Sequence, residues 1–138
     1  MAQILNNITK VEFIDSSLLK TIKVINGIGV LLNGWRDFKK LDTVGLASAE
    51  NGSKVVKKNT VYTVKLKAEL AQHFEPGCRH LCYRLTTASG RRFLLGTFTE
   101  PFVMSTVTTL FPGNVTDKSV TVLNAEYANT HGLLAILD

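Results

Sequence analysis

The sequence predicts a mainly β, single-domain antiparallel β-barrel or β-sandwich of about seven or eight strands with little helix. Residues 60–70 alternate apolar and polar side chains throughout, as a half-buried strand does. Residues 81–101 have the pattern of two strands that fold back on each other through a turn at residues 88–91. With 138 residues, the chain has the usual length of one domain, residues 1–138, built around one core.

The stretch 81–101 is the expected centre of that core. One face of its first strand carries three apolar side chains, those of Leu81, Tyr83 and Leu85. Gly90 supplies the positive φ that a tight reversal requires. Residues 93–95 are consecutively apolar, which is typical of a strand covered on both faces. Gly96 then indicates a bulge or the close approach of another backbone, and Pro101 ends the pairing because it has no N–H to donate.

The first half of the chain predicts short elements separated by turns. Residues 8–14 alternate and predict a first strand, and β-branched side chains in residues 18–24 predict a second extended segment. Residues 37–46 place apolar side chains at three-residue spacing, which predicts a short helical turn or an irregular loop leading into a strand. Residues 48–58 are polar and predict a long exposed loop or the tip of a β-hairpin.

The second half predicts two further strands and a C-terminal arm. Residues 102–110 are rich in threonine and valine, and residues 119–127 have an apolar pattern that suggests a bulge or burial on both faces. The arm, residues 131–138, contains five consecutive apolar side chains. Leaving them in water costs roughly 25 cal/mol per Å², so we expect the arm to dock in its own sheet or on a neighbouring subunit.

Composition and charge narrow the class of protein. A hydrophobic content of 45% argues against disorder, and no apolar run approaches the ~18 residues of a membrane span. The N-terminus has no secretory signal pattern, which predicts a cytoplasmic origin. A net charge of +5 and an isoelectric point near 9.4 favour an acidic partner or nucleic acid.

No catalytic signature stands in the sequence, so we predict that the protein is not an enzyme and needs no cofactor or metal. Four residues resemble a zinc-binding set only in composition, since their spacing matches no common zinc pattern: His73, Cys78, His80 and Cys82. Both cysteines are expected to be free thiols. A small β-barrel enzyme would instead require a pocket in which carboxylates and histidines converge.

An alternative function is that of a nucleic-acid-binding small β-barrel. Basic residues suited to phosphate contacts lie near two expected turns: Lys54, Lys57, Lys58, Arg91 and Arg92. The strand faces expected to be exposed carry none of the interleaved aromatic side chains on which single-stranded bases stack. Such a distribution of basic residues is more typical of a solvated, soluble β surface.

The order of features along residues 60–138 carries a family resemblance. A strongly alternating strand is followed by the connection Pro76-Gly77, the stretch YRLTTASGRRFLLGTFTEP, a turn with Asp117 and a final long strand. This order resembles small structural proteins encoded in the tail and neck gene modules of phages and prophages of Bacteroidetes. Residues 93–96 and Pro101 hold the places of the hydrophobic arm, its glycine and its proline in those proteins.

The resemblance implies a virion structural protein, made in the bacterial host cytoplasm, that forms one subunit of a ring or tube in the tail, head-tail connector or baseplate. Its implied partners are further copies of itself and other virion proteins, without a membrane; contact with DNA is left open. Residues 1–7, 48–58 and 133–138 are the candidate interface segments. Their candidate contact side chains are Ile4, Leu5, Val55, Val56, Leu133, Leu134, Ile136 and Leu137.

Overall fold

A computed structural model describes residues 3–25, 29–32, 37–71, 74–75, 80–98, 102–110, 120–129 and 133–137, and for residues 3–6, 110 and 120 it describes the backbone alone. The strands are β1 (Gln3–Asp15), β2 (Lys23–Ile25), β3 (Gly29–Leu31), β4 (Lys39–Leu41), β5 (Ala47–Val56), β6 (Asn59–Leu70), β7 (Leu81–Thr87), β8 (Arg92–Leu95), β9 (Met104–Leu110), β10 (Val120–Asn129) and β11 (Leu134–Ala135). Every pairing between two of these strands is antiparallel. The prediction of a mainly β, antiparallel fold with little helix is confirmed.

Nine strands form one sheet in the order β11-β8-β7-β1-β5-β6-β10-β9, with β4 beside β1. The register of β1 against β5 shifts between Leu5 and Ile8, and such bulges bend a strand. The two halves of the sheet face each other, since the Tyr83 hydroxyl of β7 lies 2.6 Å from Ser105 Oγ of β9. Strands β11 and β9 end the order without pairing to each other, so the described strands form a sandwich-like fold and not a closed barrel.

The main core lies between the two halves of the sheet. Strand β6 contributes alternate residues to it, because Val64, Leu66, Ala68 and Leu70 are buried while the residues between them are exposed. The half-buried strand predicted from residues 60–70 is therefore confirmed. The other fully buried side chains of this core include Ile8, Val11, Tyr83, Leu85, Leu95, Leu123 and Tyr127.

A second cluster packs on the opposite face of β1, β7 and β8. Its buried members are Ile14, Leu19, Val30, Leu32, Cys82, Leu94 and Leu134. The separate two-stranded hairpin β2–β3 supplies Val30, with Val24 packed alongside. Strand β8 is consequently buried on both sides, with Phe93 and Leu95 in the main core and Leu94 in the second cluster. This is the covered strand that three consecutive apolar residues predicted.

The C-terminal residues dock in the protein's own sheet. Leu134 pairs with Leu94 and Ala135 with Phe93, and the Leu137 amide donates to the Val30 carbonyl at 2.9 Å. Of the two destinations expected for this arm, its own sheet is the one it occupies. The apolar tail thereby closes the second cluster instead of extending into solvent.

The turn of the β7–β8 hairpin has the predicted glycine conformation, with φ of +89° at Gly90. Gly96, after β8, has φ of +99° and touches the core directly. A Cβ built on Gly96 would lie 2.7 Å from Val103 Cγ2 and 3.0 Å from Cys82 Sγ. The close approach expected at this glycine is therefore present.

Gly96→Ala is expected to lower the free energy of unfolding by about 2–4 kcal/mol, because it adds overpacking to the cost of a left-handed backbone. Gly90→Ala is the matched control, since its φ is also positive but nothing lies within 4 Å of the added Cβ. Its expected cost is about 1–2 kcal/mol. Urea unfolding of both variants checks this difference, and equal losses would contradict it.

One ion pair lies buried on the second-cluster side of the sheet. Glu12 and Arg84 are cross-strand partners in β1 and β7, and Glu12 is only 6% exposed. Arg84 Nε donates to Glu12 Oε1 at 2.9 Å and Nη2 to Oε2 at 2.6 Å. The Phe38 ring covers the guanidinium, with 4.2 Å from Cζ to the ring centroid.

Two local predictions were wrong, and a third was confirmed in one of its two alternatives. Part of the expected extended segment at 18–24 belongs to a 3-10 helix, Ser16–Leu19. The Asp15 carboxylate caps this helix by accepting a hydrogen bond from the Ser17 amide at 3.0 Å, and Leu19 in the helix is buried. For residues 37–46, the helical turn is absent and the second alternative is present: β4 pairs with β1, and residues 42–46 form an irregular segment that leads into β5. Strand β10 has no bulge, since its register with β6 and β9 is unbroken. In each case a tertiary pairing or a side-chain cap overrode local propensity.

The described residues form eleven strands, more than the seven or eight expected. Four of them, β2, β3, β4 and β11, are only two or three residues long, too short to show a period in the sequence. Several features of the sequence analysis lie outside the described residues: His73, Pro76-Gly77, Cys78, Pro101, Asp117 and the segment 131–132. Within the part of the chain that the structure describes, no helix is long and apolar enough to cross a membrane.

Candidate functional site

Strands β5 and β6 extend beyond the rest of the sheet as a two-stranded ribbon, residues 52–61, which we call the distal arm. The register of β5 with β1 ends at Asn51, and that of β6 with β10 ends at Tyr62. Beyond both points the described strands pair only with each other, from Lys54↔Val61 to Val56↔Asn59. Three residue pairs at about 3.3 Å each give this doubly unpaired part of the arm a length of roughly 10 Å.

Both faces of the distal arm are exposed to solvent. All eight residues from 53 to 60 are exposed, whereas the same strands alternate strictly once they reach the core. Val55 is 70% exposed and Val56 is 41% exposed, and these neighbours lie on opposite faces of the ribbon. A two-stranded hairpin in water is only marginally stable, so this arm is a segment that would gain from a partner.

The tip of the distal arm combines backbone strain with positive charge. Lys57 and Lys58 form the two-residue turn with φ of 49° and 70°. Asparagine and glycine are the usual residues for a turn with two positive φ values, and each lysine there costs about 1–2 kcal/mol. Of the two structures predicted for residues 48–58, a long exposed loop or the tip of a β-hairpin, the hairpin is present, and its reversal lies at the two lysines.

The five candidate phosphate-contacting residues lie on two different turns. Lys54, Lys57 and Lys58 lie on the distal arm, whereas Arg91 and Arg92 lie at the β7–β8 turn. The Arg91 guanidinium lies over the Phe93 ring, 5.1 Å from its centroid. These residues do not come from one continuous element, as a basic stripe on one strand or helix would.

The other candidate interface residues differ sharply in exposure. Leu134 is 3% exposed within its own chain, Leu133 and Ile136 are partly buried against the two clusters, and Leu137 is 45% exposed. The structure thus leaves only the last of these four largely on the surface. Ile4 and Leu5 pair with Glu50 and Ala49 through their backbones, and their side chains lie outside the described part of the chain.

The outer face of β5, β6, β10 and β9 is a polar surface with balanced charge. Lys65 lies in register between Glu50 and Glu126, and Lys67 lies between Ser48 and Asn124. These side chains border a shallow trough of about 450 Å³ that reaches Met104 and Thr106. Facing residues of neighbouring strands interact, so the two carboxylates offset the positive charge of Lys65.

Among the described residues, burial raises the pKa of a cysteine and of two tyrosine side chains. Burial, together with the charge of Asp15, raises the pKa of the Cys82 thiol to about 12, and its sulfur lies 3.6 Å from the Thr97 carbonyl oxygen. Burial also raises the pKa of Tyr83 to about 12, although its hydrogen bond with Ser105 acts in the opposite direction. A thiol with this pKa remains protonated near neutral pH and is a poor nucleophile.

Of the conceivable zinc set, the structure describes His80 and Cys82. His80 is exposed and stacks on Phe102 with 4.0 Å between ring centroids, while Cys82 is buried in the second cluster. Among the residues described, no group of three or more histidine, cysteine, aspartate or glutamate side chains could hold a metal ion.

Comparisons with protein-family models, with curated proteins and with solved structures found no match to this chain.

Proposed function

We propose that the protein is a structural subunit of a homo-oligomeric ring or tube in a phage tail, head-tail connector or baseplate, and that the distal arm docks on a neighbouring copy. The observation that carries the proposal is the ribbon of residues 53–60, which is exposed on both faces and bears Val55 at its surface. The resemblance of residues 60–138 to phage tail and neck proteins supports the viral setting.

The energetics of the distal arm favour a partner. Full burial of a valine stabilises by about 1.5–3 kcal/mol, and Val55 is 70% exposed in the single chain. Both edges of the ribbon also leave backbone groups unpaired among the described residues, and these edges are templates for strand pairing. Docking would offset the cost of the two left-handed lysines at the tip.

The charge distribution supports assembly more than nucleic-acid binding. The net charge of +5 is modest, and the basic residues divide between two turns. On the outer face of the sheet, Lys65 is flanked by Glu50 and Glu126, an arrangement that repels phosphate as much as it attracts it. The three lysines of the arm instead suit a receiving surface that offers carboxylates.

The test is the mass of the protein in solution, measured by light scattering after size exclusion, for the wild type, Val55→Asp and Val44→Asp. Val44 is a matched control, because it is 55% exposed and lies off the arm. We expect a multimer for the wild type and Val44→Asp and a smaller species for Val55→Asp. A wild type that stays monomeric at high concentration, or a multimer that Val55→Asp leaves intact, would overturn the proposal.

A further inference from the structure

Strand β9 is the last strand of the main sheet. It pairs with β10 along its whole length, from Val120↔Leu110 to Glu126↔Met104. Within the described residues, no strand pairs with its other edge. In an antiparallel strand, alternate residues direct both their N–H and their C=O groups to the same side. About half of the backbone groups of β9 therefore point away from β10.

Within its described residues, β9 lacks three of the features that protect a sheet edge from pairing, namely a charged residue, a proline and a bulge. Its seven residues, MSTVTTL, include no charged residue and no proline. The register with β10 is unbroken, so no bulge turns the edge away. Sheet edges that must stay single usually carry a lysine, a proline or a bulge. The distal arm, in contrast, carries three lysines.

The main core is incompletely covered along the same edge. The core-facing side chains of β9, those of Ser105, Val107 and Thr109, are only half-buried, and Val107 packs against the main cluster. The strand is nevertheless held in place, because the Ser105 hydroxyl lies 2.6 Å from the buried Tyr83 hydroxyl. An added strand would find a fixed template and would bury the exposed part of Val107.

We infer that β9 pairs antiparallel with β9 of a second copy, about a two-fold axis at Val107, so that the two sheets become continuous. In this register Val107 faces the partner's Val107, and Thr106 faces the partner's Thr108. Threonine pairs and valine pairs are favourable across antiparallel strands, and an uncharged edge meets no like charge in its own copy. A basic arm docked here would place its lysines beside a strand without any carboxylate.

The test uses two double variants at the exposed positions of β9, made in the Val55→Asp background so that the arm contact is absent. Thr106→Lys/Thr108→Lys sets lysine opposite lysine in the inferred register. Thr106→Lys/Thr108→Glu sets lysine opposite glutamate. Both positions are exposed, so neither pair of changes disturbs the core. Thermal unfolding confirms that each variant is folded before its mass is measured by light scattering.

We expect a dimer for Val55→Asp alone, half that mass when the two lysines are added, and the dimer mass again for the lysine–glutamate variant. A monomer for Val55→Asp alone would overturn the inference, and so would equal masses for the two double variants. The pairing does not depend on the distal arm. Docking of the arm is tested separately, by comparing the mass in solution of the wild type with that of Val55→Asp.

Discussion

Arg84→Met is expected to lower the free energy of unfolding by about 3–5 kcal/mol, the cost of leaving a buried charge without its partner. The carboxylate of Glu12, 6% exposed, would lose both hydrogen bonds of the guanidinium. Lys10 would remain near the carboxylate, with its Nζ 3.8 Å from Glu12 Oε1 and its side chain 45% exposed. A partly solvated lysine at that distance compensates for little of the loss.

The matched control removes both charges. In Glu12→Leu/Arg84→Met the two strands keep apolar side chains of similar volume beneath Phe38, and such replacements are often neutral or stabilising. We therefore expect the double variant to unfold at a urea concentration near that of the wild type, with the single variant far below. If single and double variants lost the same stability, the loss would come from packing of the arginine stem and not from the unpaired carboxylate.

Leu134→Ala is expected to cost about 2–5 kcal/mol, the range for truncating a buried leucine. Leu134 is 3% exposed and closes the second cluster against Leu94, although it belongs to a strand of two residues. Leu137→Ala is the matched control, because Leu137 is 45% exposed, and its cost should be about 1 kcal/mol or less. Chemical denaturation followed by circular dichroism distinguishes the two, and equal costs would contradict the docked tail.

The burial of Leu134 in the second cluster makes deletion of the tail a poor test of assembly. Removing the tail would take Leu134 out of the second cluster and expose Val30 and Leu94, so a change in mass would report damage to the fold as readily as loss of an interface. A substitution at Val55 should leave the fold intact, because its exposed side chain contributes little to either cluster. The distal arm is for that reason the better place to separate assembly from stability.

Elements with a local signal could be predicted from the amino-acid sequence. Alternation along β6 identified its buried face, Gly90 marked the turn between β7 and β8, and Gly96 marked a close approach. Each of these follows from side-chain period or backbone φ, which neighbouring residues set without help from the rest of the chain. The exposure of Val55 and Val56 agrees with the exposed loop or hairpin tip predicted for residues 48–58.

Which strands pair, and which edges stay unpaired among the described strands, depends on contacts that local sequence does not encode. The short strands β2, β4 and β11 have no period of their own, and they exist because β3, β1 and β8 offer them hydrogen bonds. Threonine- and valine-rich residues predicted β9 as a strand, but nothing in them showed that it would end the sheet. Pairing order is a property of contacts distant in sequence, and it is this order that placed Leu134 inside the protein and left the edge of β9 unpaired among the described strands.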